Sequence, residues 1–437
     1  MLQTRIFFGA VIGILLPSSV LANFSLTPYI GDFNRARAGG AAAAEDATTT
    51  FTNPAGLVRL AKQQWVVTGH YYLPSAEFRD TGTIDGIGNA ISGGDGGDGG
   101  VEAAVPNAFY ARPLSSDWTM GVALAAPFGL GTKYESNWVG RYHSIEAGIE
   151  TMAINPGVGF NMGDGWSVGA GVTLQYAKAT MSSALDFGAI CLNALDPATC
   201  AGLGMPAPQS ADGMVVMEGD DWGHGINVGL LWSGENTRFG LSYRSKVEHT
   251  LDGDATFTTP AGAAAFQPMF VDTGMQLAMT LPEILSVSVY HQWSSRLAVM
   301  ADITGTRWSR IERFEFQYDN PAQPTQTVDK DWEDTWRLAV GADYQWRARW
   351  KLQGGVAFEQ SALPDRTFDP SIPVADAIWL VAGAEYSPSD KMSLGFGWTH
   401  IVFEDRTVNH VGAMGDTLRG DLEPSLDVID LRVKWLF

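Results

Sequence analysis

The amino-acid sequence predicts an all-β protein, a 14-stranded antiparallel transmembrane β-barrel plugged by an N-terminal hatch. Three observations lead there. Apolar and polar residues alternate with period two along most of the chain, the connections between the alternating runs are by turns short and long, and tryptophans gather beside the short ones.

The C-terminal run shows the alternation most clearly: Ile429, Leu431, Val433, Trp435 and Phe437 interleave with Asp430, Arg432 and Lys434. Successive side chains of a strand point to opposite faces, so one face here is apolar and aromatic and the other charged. Similar runs occupy 64–73, 105–112, 118–126, 150–160, 166–180, 223–232, 238–248, 284–291, 296–308, 334–346, 350–359, 377–386 and 392–402. Alternation alone also suits a large sandwich or a solenoid, and connection lengths separate these readings. Short turns fall at Arg112–Asp117, Met162–Gly165, Ser233–Thr237, Gln292–Ser295, Arg347–Arg349 and Ser387–Asp390. Between them lie the long connections 74–104, 133–149, 181–222, 249–283, 309–333, 360–376 and 403–426. Tight turns at one rim and long loops at the other are the pattern of a membrane barrel. Residues 275–281 also alternate, but Pro282 separates them from the next run and an even strand count keeps both ends at one rim. That stretch is therefore assigned to a loop.

Trp118, Trp166, Trp232, Trp293, Trp346, Trp350 and Trp435 lie in or beside a short turn or at the C-terminus. Indole rings favour the membrane interface, so these read as an aromatic girdle at the short-turn rim.

Ahead of the barrel, residues 1–22 carry Arg5, an apolar stretch from Ile6 to Leu16, and Val20 and Ala22 before the expected cleavage point. This is a secretory signal peptide, too short and proline-broken for a spanning helix of about 20 residues. Residues 23–63 alternate poorly and are rich in small residues, while Phe24, Tyr29, Ile30, Phe33, Phe51 and Leu57 supply apolar contacts. A lumen too wide for its own side chains to fill can take such a segment as a plug, the alternative being a tail outside the wall. The barrel then runs over 64–437.

Bulk properties narrow the function. The formal net charge is −20, with 50 glycines, 11% aromatic residues and only 17% charged ones. Phosphate-binding surfaces need clustered Lys and Arg, so nucleic acid is excluded as a partner. The two cysteines, Cys191 and Cys200, share a polar loop and after export are expected to bridge it; free thiols are the alternative. Gly165-Trp-Ser-Val-Gly169 fits a nucleophile-elbow pattern, but a turn precedes it and a strand follows, where the elbow needs a strand before and a helix after. Gly94–Gly99 fits a dinucleotide-binding pattern with no helix behind it, leaving weak calcium binding by Asp95 and Asp98 as its other reading. The seven histidines show no metal spacing. No catalytic group, cofactor or resident metal is expected. An outer-membrane barrel hydrolase is the rival class, and an open porin is the other.

Pro127 raises a separate question. It interrupts the run Trp118–Ala125 before Phe128 and Gly129, yet a closed wall offers no edge where a residue without an N–H belongs.

The stretch from Gly39 through Asn53-Pro54-Ala55 to Leu57 resembles the hatch of the FadL-type long-chain fatty acid transporters of Gram-negative outer membranes. Val105-Pro-Asn107, Phe128-Gly-Leu130, Trp222-Gly-His-Gly225, Ser242-Tyr-Arg-Ser245, Leu281-Pro-Glu283, Trp336–Gly341 and the terminal Phe437 extend the resemblance along nearly all of the mature chain. It implies a hatch-plugged barrel with the third strand kinked inward at Ala126, Pro127, Phe128 and Gly129, opening the wall so that apolar ligand leaves sideways into the membrane. It implies a ligand pocket reached by Phe24. Family members that carry fatty acids hold the carboxylate with basic residues; one such position falls on Ser183 here, so Lys178, Arg244 or Lys330 would have to substitute. If none does, the ligand is a neutral hydrocarbon. Met269, Phe270, Met275 and Leu277 are the expected docking surface on the long loops. The expected role is passive uptake of hydrophobic molecules, with fatty acids ahead of hydrocarbons, by a monomer surrounded by outer-membrane lipid and lipopolysaccharide.

Overall fold

The computed structural model describes residues 38–266 and 268–437. The expected signal peptide and Phe24 lie outside these residues. The wall is one antiparallel sheet of fourteen staves in chain order, several of them broken into two strands. The first two staves are β1 (Gln64–Asp80) and β2 (Ala103–Pro113), and the third is split into β3 (Trp118–Ala125) and β4 (Gly129–Lys133). Then come β5 (Glu146–Gly163), β6 (Trp166–Asp186) and β7 (Asp212–Ser233). Four split staves follow: β8 (Thr237–Arg244) with β9 (Val247–Thr258), β10 (Thr273–Leu281) with β11 (Ile284–Gln292), β12 (Leu297–Thr306) with β13 (Arg313–Tyr318), and β14 (Gln326–Asp329) with β15 (Thr335–Arg347). The wall finishes with β16 (Trp350–Glu359), β17 (Ala377–Ser389), β18 (Met392–Phe403) continued by β19 (Arg406–Val411), and β20 (Thr417–Leu436). It closes where β20 pairs with β1, from Gln64 opposite Leu436 to Asp80 opposite Gly420.

Two sequence expectations are corrected. Residues 275–281 are not a loop. They form most of β10, which pairs with β9 and carries the stave that β11 completes, so the count of fourteen holds without adding a stave. The long connections are also shorter than the alternation implied, because β1, β6, β7 and β20 run on past the apolar band as paired strands. Strand pairing satisfies backbone groups whether or not one face meets lipid, and hydrophobic alternation marks only the part that does.

The apolar face points outward, as a lipid-facing wall requires. Leu174, Val172, Val340, Phe396 and Leu431 are among the exposed apolar side chains. Trp118, Trp166, Trp293, Trp346 and Trp350 are exposed at the short-turn rim, while Trp222, Trp336 and Trp398 form a second exposed set towards the other rim.

Residues 38–63 lie against the inner wall. A one-turn helix, Thr49–Thr52, and a 3-10 segment, Pro54–Arg59, pack on β3, β5, β6 and β7. Wall glycines make the room: a Cβ on Gly169 would sit 2.2 Å from the Pro54 carbonyl carbon, and one on Gly240 would sit 2.0 Å from the Ala41 oxygen. Charge fixes the same segment, through Glu45 with Lys351 at 3.3 Å and through Asp46 with Arg432.

Candidate functional site: a break in the wall beside an apolar pocket

The third stave lacks a ladder on one side. β2 pairs with β1 from Ala103 to Ala111, but with β3 only from Ala108 to Pro113. β4 pairs with β5 alone. Residues 103–107 and 126–131 therefore flank a seam with no strand pairing across it. Above it, the Gly100–Thr132 bridge and the Lys133 N–H donated to the Gly99 oxygen at 2.9 Å rejoin the wall.

Side chains take the place of the ladder. The Ala126 N–H donates to Asn107 Oδ1 at 2.9 Å, and the Phe128 N–H donates to Thr151 Oγ1 at 2.8 Å. The Thr151 hydroxyl donates back to the Phe128 oxygen at 2.6 Å. Pro127, between them, has no N–H to satisfy. An unpaired buried amide costs about 1–3 kcal/mol, and each of the two donors at the break has an acceptor.

Behind the seam lies an apolar pocket, partly open to its surroundings. Phe128 and Gly129 of the interruption line it, with Ile149, Met181, Leu277, Met279, Leu281, Ile311, Phe314 and Ile372. Trp308 meets Phe128 edge-on at 6.0 Å between centroids and Trp332 at 5.4 Å, forming an aromatic wall. Tyr134 and Thr132 hold the 360–376 connection across the pocket by donating to the Pro370 oxygen and the Ser371 oxygen, both at 3.0 Å.

Among the described residues, Lys330 is the one charged residue lining the pocket. Its ammonium lies 2.9 Å from Asp369 Oδ2, and the Ser371 hydroxyl donates to the same carboxylate. Burial alone would raise the Asp369 carboxyl, but Lys330 and Ser371 outweigh it and hold it well below the usual carboxylate range. His410, in β19, is pushed down by burial, with Asp369 opposing and His143 and Lys330 adding to the shift.

The other expected pocket cations lie elsewhere. Lys178 is partly exposed and sits 3.6 Å from Glu218. Arg244 stacks over the Phe51 ring at 3.5 Å and donates to the Phe51 oxygen at 2.8 Å and to Asn155 Oδ1 at 3.2 Å, so it clamps the inner segment. Met275 and Leu277 are buried, corrected from a docking loop to inward-facing strand positions. Met269 and Phe270 are half-buried, and Phe270 packs on Phe187 and Phe257. Asn53 donates to the Ala41 oxygen at 2.7 Å and accepts from the Ala55 N–H at 3.1 Å, while Pro54 and Ala55 press on β6. Cys191 and Cys200 are disulfide-bonded. Asp98 accepts from the Ala76 N–H and Asp95 from the Asp80 N–H, and no metal-binding cluster occurs among the described residues. Sequence reasoning missed Trp308, Trp332, Asp369 and Ile372; the one signal for the tryptophans was their place at the edge of the long connection 309–333 and inside it, away from the short-turn girdle.

The sequence profile of the outer membrane protein transport family (OMPP1/FadL/TodX) matches residues 22–437. The chain belongs to this family. Among its relatives, a putative outer membrane protein of Neisseria meningitidis is 29% identical over 396 residues, covering 86% of this chain and 85% of that one. A long-chain fatty acid transport protein of Escherichia coli is 25% identical over 416 residues, covering 92% and 91%. The crystal structure of a Pseudomonas aeruginosa FadL homologue superposes with a TM-score of 0.86 at 22% identity, over 96% of this chain and 100% of that one. The toluene transporter of Ralstonia pickettii shares the fold at a TM-score of 0.67 and 19% identity, over 95% and 100%. The protein is thus an outer-membrane barrel of a family of transporters of hydrophobic compounds, not of enzymes.

Proposed function

We propose that the protein takes up hydrophobic molecules passively: they enter the apolar pocket and leave sideways through the seam between β2 and the third stave. The observation that carries this is that Phe128 and Gly129 belong at once to the unladdered seam and to the pocket lining. Burying apolar chain is favourable by about 0.8 kcal/mol per CH₂, so capture needs no fuel. Backbone irregularity at membrane depth is tolerated only beside protein or a cavity, and here it has one.

Long-chain fatty acids are the first cargo class under this reading, with Lys330 and Ser371 at the polar end of the pocket; a relative bearing that cargo in its name supports it. Neutral hydrocarbons are the second, favoured by the internal neutralisation of Lys330 by Asp369. Residues 38–63 serve as the hatch that blocks straight passage, and the barrel works as a monomer.

The test compares uptake of radiolabelled oleate and toluene by cells carrying the wild type or a deletion of Pro127-Phe128-Gly129. Deletion abolishes uptake while the barrel still folds and reaches the membrane. Undiminished uptake by the deletion refutes the lateral route, and the ratio of the two labels in the wild type decides the cargo class.

A further inference from the structure

The acceptor that stands in for the missing ladder at Ala126 is the end of a longer chain. Asn107 Nδ2 lies 3.5 Å from Thr68 Oγ1, Thr68 Oγ1 lies 2.9 Å from His70 Nε2, and His70 Nδ1 contacts the Asp430 carboxylate. Thr68, His70, Asn107 and Asp430 are all buried, on three neighbouring staves, at 1–2% exposure.

One assignment of protons gives every link a donor and an acceptor. In it His70 Nδ1 donates to the Asp430 carboxylate and Nε2 accepts. The Thr68 hydroxyl then donates to Nε2, and its oxygen accepts from the Asn107 amide. That fixes the Asn107 flip with Oδ1 towards the Ala126 N–H. Each bond in such a head-to-tail chain polarises the next, and a carboxylate anchors it.

We propose that Asn107 is the positioning residue of the seam, oriented by Thr68, His70 and Asp430, and that this relay sets how far the third stave stands from β2. The inference rests on the lateral-exit reading and names what keeps that exit formed. Without an oriented carboxamide, Ala126 has no acceptor on its open side and the stave must shift to find one. Thr151 secures the other flank independently, so the relay governs the shape of the gap and not the existence of the break.

A positioning role separates release from capture. The probes are radiolabelled oleate and toluene, measured as equilibrium binding to purified protein and as uptake by cells. Thr68→Val is nearly isosteric, leaves the His70–Asp430 contact in place and removes the hydroxyl. Uptake falls about tenfold, as for one lost oriented hydrogen bond, while binding stays at the wild-type value. Thr68→Ser restores uptake, and Asn107→Leu behaves as Thr68→Val. Wild-type uptake by Thr68→Val overturns the relay. So does a parallel fall in binding and uptake, which would mark these residues as pocket supports. If deletion of Pro127-Phe128-Gly129 leaves uptake intact, the lateral route itself fails; if deletion stops uptake and Thr68→Val does not, only the relay fails.

Discussion

Substituting Gly229 with alanine tests whether residues 38–63 are locked to the wall by close fit. Gly229 lies in β7, opposite Asn53, and a Cβ there would stand 1.8 Å from Asn53 Oδ1 and 2.9 Å from its Cγ. No rotation of a methyl relieves such an overlap, so Asn53 must move. It is fully buried and holds three hydrogen bonds: its amide to the Ala41 oxygen at 2.7 Å and the Leu230 oxygen at 3.2 Å, and its oxygen to the Ala55 N–H at 3.1 Å. At about 1 kcal/mol each their loss weakens the lock by about 3 kcal/mol, a shift of about a hundredfold in favour of a displaced hatch. The assay is ion conductance in planar bilayers, where a displaced hatch appears as a rise in open-channel events. Asn53→Ala alone gives a similar rise through the same lost bonds. The double variant conducts no more than Asn53→Ala, because the new methyl then meets no carboxamide. Additive effects in the double variant, or wild-type conductance in Gly229→Ala, would refute the reasoning.

Arg244→Ala removes the stacking on Phe51 and the hydrogen bonds to the Phe51 oxygen and Asn155; it lowers the unfolding free energy in a detergent denaturation series by about 2–3 kcal/mol and leaves oleate and toluene binding unchanged. Reduction of Cys191–Cys200 leaves the barrel's circular dichroism intact and speeds protease cutting within 187–202, because the bridge joins residues at a sequence separation of 9, and cross-linking so short a loop restricts the unfolded chain by about 2–3 kcal/mol. His410 has a lowered folded pKa, so the unfolded chain binds its proton first. Stability from its burial is complete above the ordinary histidine value and declines as pH falls from about 7 to 5, seen as faster hydrogen exchange in 403–416; His410→Gln removes that slope. Asp369 has a lowered folded pKa, so its contribution is present above the ordinary carboxylate value and is lost only in strong acid. Asp369 itself therefore adds no transition to ligand binding across pH 5–8, and any difference in pH profile between Asp369→Asn and the wild type there arises through His410.

Fold class was legible because lipid on one side and an aqueous lumen on the other impose a two-residue period on every stave, and because turn lengths record which rim is which. That is why Ile429 to Phe437 reads as a strand from the sequence alone, and why Pro127 stands out as a break. The same rule misled at Met275–Leu281, where a proline interrupts a stave that resumes at Ile284, and at Met275 and Leu277, whose apolar character fitted an exposed loop as well as an interior wall. Local pattern cannot say which neighbour a strand meets above the membrane. Only the closed sheet brings Phe128 against Trp308, places Asp369 on Lys330 across 39 residues, and aligns Asp430 with His70 across 360. Those partners are set by the register around the barrel, and register is a property of all the staves together. The sequence by itself therefore determined the barrel, its orientation-marking rims and the point at which its wall would fail; the tertiary structure decided what lies behind that failure and which side chains hold it in shape, because both depend on contacts between staves remote in the chain.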